Sequence, residues 1–161
     1  MPTIEDAVAA LAAKNFAAAW PLLAELARSG DIRAMQLLGR LHAAGEGGRP
    51  ADPGLAAFWF FQAWQAGLDE AEQDIVRIRA DLEAAAENGS ADAQNALGLI
   101  LCFGHDDPAT AAAWFERAAE QDHAEALRML GFLYETGKGV PQDPIRAAEL
   151  KSRAAALGSA W

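Results

Sequence analysis

A Leu-Gly pair, an Asp-Pro pair and a pair of alanines recur in that order three times along this chain. The sets are Leu38-Gly39, Asp52-Pro53 and Ala56-Ala57; Leu97-Gly98, Asp107-Pro108 and Ala111-Ala112; and Leu130-Gly131, Asp143-Pro144 and Ala147-Ala148. Aspartate caps the free amides at a helix start, and proline suits the first helical position because it has no N–H to leave unsatisfied. Each set therefore reads as one helix, a connection and a second helix. A two-helix unit that recurs cannot bury its apolar face alone and must stack on its neighbours. The pattern predicts an all-α solenoid of helical hairpins, a scaffold for binding far more readily than a catalyst.

The last unit is the plainest. Ala126, Leu127, Leu130, Leu133 and Tyr134 are apolar at helical spacing, and Gly137-Lys-Gly139 offers glycines able to close the helix in the left-handed conformation. Its second helix then runs through Ala147, Ala148, Leu150, Ala154 and Ala155 to Gly158. The first set has one more residue in its connection. The middle set has a shorter connection, with Gly104 in it, and Asp122 standing where the others end in glycine.

Together these residues give the text A-x3-LG-x-LY-x2-G-x-GV-x2-D-x3-A-x6-AA-x2-G, preserved best at Ala126–Gly158. It closely resembles the Sel1-like repeat, a relative of the tetratricopeptide repeat. The resemblance implies a right-handed α-α superhelix and a role in protein interaction. The chain is then expected to be a single solenoid domain. Its parts are a divergent helix pair at 1–30, a repeat at 31–67, a degenerate unit at 68–90, a repeat at 91–122, and a repeat with the C-terminus at 123–161. The degenerate unit is too short for a pair, but Ile75, Ile78, Leu82 and Ala85 keep one stripe at helical spacing, which predicts one long helix.

Gly39, Gly98 and Gly131 fall in the middle of first helices, where glycine costs about 1 kcal/mol relative to alanine. The missing side chain is expected to let the second helix lie close, opposite Ala56, Ala111 and Ala147. Trp59, Trp114 and Leu150 share one equivalent place and are expected to fill the seam between successive units. His42 stands where the last unit has Tyr134 and is expected to be packed or hydrogen-bonded.

The chain of 161 residues carries a formal charge of -10. Nucleic acid and anionic membranes need a basic face, so neither is expected as a partner. From Asp69 to Asp92 eight acids face two arginines, Arg77 and Arg79. The run reads first as a solvated helix face and second as a docking surface for a basic partner. The opening Met1-Pro-Thr-Ile-Glu-Asp carries acids where a secretory signal carries Lys or Arg, and Cys102 is the single cysteine. Both favour a reducing, cytoplasmic location.

In tetratricopeptide-like stacks the first helix of each pair lines the concave surface. By that resemblance the inward positions are Arg33, Gln36, Arg40 and Ala43; then Asp92, Asn95, Leu99 and Cys102; then Glu125, Arg128, Phe132 and Glu135. The expected contacts for a protein or peptide are Arg33, Gln36, Arg40, Asn95, Leu99, Arg128, Phe132 and Glu135, with Leu99 and Phe132 as apolar anchors. The run Phe58-Trp-Phe-Phe-Gln-Ala-Trp64 is apolar nearly all round a helix. Phe58, Phe61 and Trp64 either pack on the irregular 68–89 helix or form a patch for a partner or a second copy of the chain. Trp161 is expected to fold back over Leu150 and Leu157 or to sit at a subunit contact.

No constellation reads as an active site. His105-Asp106-Asp107 has metal-ligand residue types, but Asp107 is committed to capping and adjacent loop residues rarely close a site. The glycine turns lack the strand before and the Lys-Ser/Thr after that a phosphate loop needs. Cys102 has no cation beside it in sequence. The chain is therefore read as a non-catalytic adaptor without cofactor or metal. Neutralisation of a cognate toxin, or service as an accessory subunit of an enzyme, are the alternatives.

Overall fold

The computed structural model describes residues 1–158, so the expectation for Trp161 lies outside the described residues. Every regular element among them is helical. The chain forms two compact units, Met1–Asp81 and Leu82–Trp161, with the division inside the irregular segment.

The first unit contains α1 (Ile4–Ala12), α2 (Phe16–Arg28), α3 (Ile32–Ala44), α4 (Pro53–Gln65) and the start of α5 (Glu70–Glu87). Thr3 and Asp6 close a reciprocal capping box on α1, and Asn15 caps α2 through the Ala18 amide at 3.2 Å. Consecutive helices from α1 to α4 pack on one another. Ala7, Trp20, Leu23, Ala27, Ala34, Leu38, Leu41 and Trp59 form the core, with Ile4, Leu11, Phe16 and Phe58 packed at its margin. His42 meets the Trp20 ring edge to face at 4.7 Å between centroids, a packed position as expected from its equivalence with Tyr134.

The second unit contains the end of α5, then α6 (Ala91–Leu99), a π-helical turn (Ile100–Gly104), α7 (Pro108–Glu120), α8 (Ala124–Thr136) and α9 (Pro144–Ala156). Here α6 packs on α7, α7 on α8 and α8 on α9. Phe115, Leu127, Leu130 and Leu133 are among its buried side chains. Full burial of each such side chain stabilises by about 1.5–3 kcal/mol.

One hydrogen bond explains how three connections of different length close the same hairpin. The cap aspartate donates its backbone N–H to a carbonyl three residues beyond the mid-helix glycine. The pairs are Asp52 to His42 at 2.9 Å, Asp107 to Leu101 at 2.8 Å and Asp143 to Tyr134 at 2.8 Å. The same aspartates then accept from Leu55, Thr110 and Arg146 amides at 2.9, 3.2 and 3.0 Å. In the first and last repeats the helix before the connection ends at Gly45 and Gly137, with φ of 67° and 68°. The middle connection is too short for that ending. The helix widens into the π turn instead, Gly104 stays inside it, and Asp106 takes the left-handed conformation at φ 51°.

Mid-helix glycine does mark close approach: the Ala56 and Ala147 carbonyl oxygens lie opposite Gly39 and Gly131 as expected, and a ring or a long stem is seated on the glycine as well. A Cβ on Gly39 would lie 2.6 Å from the Phe60 ring and 3.2 Å from the Ala56 carbonyl oxygen. One on Gly98 would lie 2.5 Å from the Phe115 ring. The rings seated on these glycines thus belong to Phe60 and Phe115, one residue after Trp59 and Trp114. Trp114 is half-buried, with the Arg117 guanidinium 4.6 Å from its ring centroid. In the last repeat Lys151 replaces the ring. Its stem covers Gly131, with Cγ 2.9 Å from where a Cβ on that glycine would stand, and its ammonium reaches Glu135 at 2.6 Å.

Candidate partner-binding faces

In the first unit α3 turns Gln36 inwards and leaves Arg33 and Arg40 exposed. Gln36 and Arg40 already hold a carboxylate of their own chain. Asp74 of α5 accepts from Gln36 Nε2 at 2.8 Å and from Arg40 at 3.2 Å on one oxygen, and from Arg77 at 2.8 Å on the other. Asp74 is only 4% exposed, so these three donors compensate a charge that burial would otherwise make costly. An acidic run that reads as a solvated face thus contains a buried, triply hydrogen-bonded carboxylate. The signal that marks it is position: Ala71, Asp74, Ile75, Leu82 and Ala86 are the buried side chains of α5, so Asp74 lies within the apolar stripe.

The aromatic run of α4 is mostly interior. Phe61 is buried, and Phe58 and Trp64 are half-buried. Phe61 and Trp64 stack edge to face at 6.2 Å, as do Phe58 and Trp59 at 5.2 Å. Of the two alternatives, this excludes Phe58, Phe61 and Trp64 as one open patch: Phe61 offers almost no surface, and the other two offer part of theirs.

In the second unit the inward positions of α6 and α8 differ sharply. Asn95, Leu99 and Cys102 are all buried. Leu99 is 3% exposed, whereas Phe132, its equivalent on α8, is 36% exposed. Leu99 is therefore a core residue and not a ligand anchor, and Asn95 presents no surface either. Burial also pushes the Cys102 thiol above its ordinary pKa, which disfavours the reactive thiolate.

On α8, Arg128, Phe132 and Glu135 remain exposed together, successive turns apart on one helix face. Arg128 makes a two-pronged contact to Glu125, its Nε donating to Oε2 at 3.0 Å and its Nη2 to Oε1. That hydrogen-bonded carboxylate holds the guanidinium pKa above its ordinary value. Glu135 accepts from Lys151 of α9. The start of α8 is fixed by His123, whose Nδ1 accepts from the Ala126 amide at 3.2 Å while Nε2 meets Asp92 Oδ1 at 3.1 Å. This pairing requires the tautomer with hydrogen on Nε2. Asp122 before it takes φ 59°, the conformation glycine supplies elsewhere, and accepts from Arg153 at 2.8 Å.

Among the described residues no group of three or more His, Cys, Asp or Glu side chains could hold a metal ion. None of the described helices is long and apolar enough to cross a membrane. The arrangement on α8 offers an apolar ring between fixed charges.

The Sel1 repeat family model matches residues 32–68, 91–123 and 124–159, well over half of the chain. Similar solved structures include two proteins. One is a protective antigen of uropathogenic Escherichia coli strains displaying an SLR fold, at 26% identity and TM-score 0.52 over 88% of this chain and 34% of that one. The other is a Sel1 repeat protein from Oxalobacter formigenes, at 29% identity and TM-score 0.50 over 88% of this chain and 46% of that one. The chain thus spans less than half the length of either. No curated protein matches it.

Proposed function

Because the chain belongs to the Sel1 repeat family, whose members generally serve as protein-interaction scaffolds, we propose that it holds a protein or peptide on the exposed face of α8. Arg128, Phe132 and Glu135 are the contact residues, and the module is non-catalytic. The observation that supports this reading is the exposure of Phe132 where the equivalent Leu99 is buried. A large ring left partly in water between two ion pairs is the composition of an interaction hot spot with a polar rim.

Selection of displayed random peptides on the purified protein, followed by calorimetry with the enriched peptide, tests it. Phe132→Ala is expected to weaken binding about tenfold or more, since loss of a hot-spot ring costs about 1–2 kcal/mol or more. Thermal unfolding of the same variant should stay close to wild type. Equal affinity for the variant and the parent would overturn the assignment. A partner that gains activity on mixing would make the module an accessory subunit, and one that loses it would make the module a neutralising protein.

A further inference from the structure

We infer that the α8 face selects a cationic segment, one carrying arginine or lysine beside an apolar side chain. This deepens the proposed function and rests on it. Residues 82–161 contain six Lys and Arg against twelve Asp and Glu. All six cations are already engaged inside the unit. On α8 and just after it these are Arg128 with Glu125, Lys151 with Glu135, and Lys138 with Asp106. The remaining three, Arg117, Arg146 and Arg153, are paired in the same way.

The commitment of Arg128 is what decides the sign. An anionic partner finds that guanidinium already neutralised: two of its five N–H groups donate to Glu125, and the three left over can be reached only with the Glu125 carboxylate beside them. Glu125 is buried, so losing its counter-charge would leave a carboxylate away from water without compensation. A cationic partner meets no such obstacle. The side chains of Glu135 and Asp106 are 55% and 89% exposed. An ionised carboxylate offers about four acceptor sites, so a second cation can join without displacing the first. The exposed Phe132 ring can also receive a cation on its face. The same contact occurs among the described residues, with Arg49 on Trp20, Arg117 on Trp114 and Arg146 on Tyr134 at 4.4–4.6 Å.

The test is a selection from displayed 12-residue peptides in a pool balanced in acidic and basic residues, with binders sorted by whether Phe132→Ala abolishes capture. Phe132-dependent binders are expected to carry net positive charge. Their affinity in fluorescence anisotropy should fall about threefold or more between about 50 and about 500 mM NaCl, and again on Glu135→Gln. Phe132-dependent binders that are neutral or acidic, or insensitive to salt, would overturn the charge inference and leave the site standing. Binders indifferent to Phe132, or none recovered, would instead overturn the site and the inference with it.

Discussion

Replacing Gly98 by alanine tests the close approach on which each hairpin depends. The new methyl would sit 2.5, 2.7 and 2.8 Å from three carbons of the Phe115 ring, where ordinary contact begins near 3.4 Å. Phe115 is fully buried, so the ring has no open space to enter. Overpacking of this kind costs about 1–3 kcal/mol. Alanine returns about 0.8–1 kcal/mol of helix propensity. The net expectation is a loss of up to about 2 kcal/mol, seen as a lower urea midpoint and a thermal midpoint lowered by roughly 2–4 °C per kcal/mol. Gly131→Ala in the same unit is the control. Its methyl would meet one side-chain atom inside 3.0 Å, Lys151 Cγ at 2.9 Å, and the Ala147 carbonyl oxygen at 3.2 Å, against three ring carbons at Gly98. That variant should unfold within about 1 kcal/mol of wild type, its propensity gain offsetting a smaller clash. Trimming the ring in Gly98→Ala/Phe115→Leu should recover stability relative to the two single losses added together. If Gly98→Ala equals or exceeds wild type while Gly131→Ala loses more, rigid ring-on-glycine packing is the wrong account.

Three further outcomes follow from the same contacts. Asp74→Ala strands the buried Gln36 amide and removes the shared partner of Arg40 and Arg77, and should cost about 1–3 kcal/mol in urea unfolding; wild-type stability would show the buried carboxylate to be dispensable. Cys102 should resist a thiol reagent in the native protein at mildly alkaline pH and react promptly in urea, because it is buried and its pKa is raised; fast native labelling would contradict this. The carboxyls of Asp6 and Asp107 are held below their ordinary value of 3.8, chiefly by side-chain hydrogen bonds with Thr3 and Thr110. Their stabilising contribution is then full above that value and is lost as pH falls through the lowered native one, so Asp6→Asn and Asp107→Asn should flatten the acid limb of a stability-pH profile, and an unchanged limb would refute it.

Much of this architecture was legible because its causes are local. Asp52, Asp107 and Asp143 cap helices with side chains that reach only three residues, so sequence spacing alone reveals them. The stripe through Ile75 and Leu82 specifies one helix over the irregular segment because a helical face repeats regardless of what covers it. Gly39 and Gly98 announce close approach because only an absent side chain justifies glycine inside a helix. Which ring fills that space was not legible: Phe60 and Trp59 are neighbours in sequence, and the choice depends on how the second helix is rotated. The same limit governs the candidate face. Leu99 and Phe132 hold equivalent positions with similar character, yet one is core and the other surface. Asp74 looks like any solvated acid until Gln36 and Arg40 are brought against it from 38 and 34 residues away. Periodicity states which side of a helix a residue occupies, and only the packed chain states what lies against that side. The sequence by itself therefore determined the hairpins and their caps, while the tertiary structure decided which charges are spent internally and that Phe132, unlike Leu99, stays exposed.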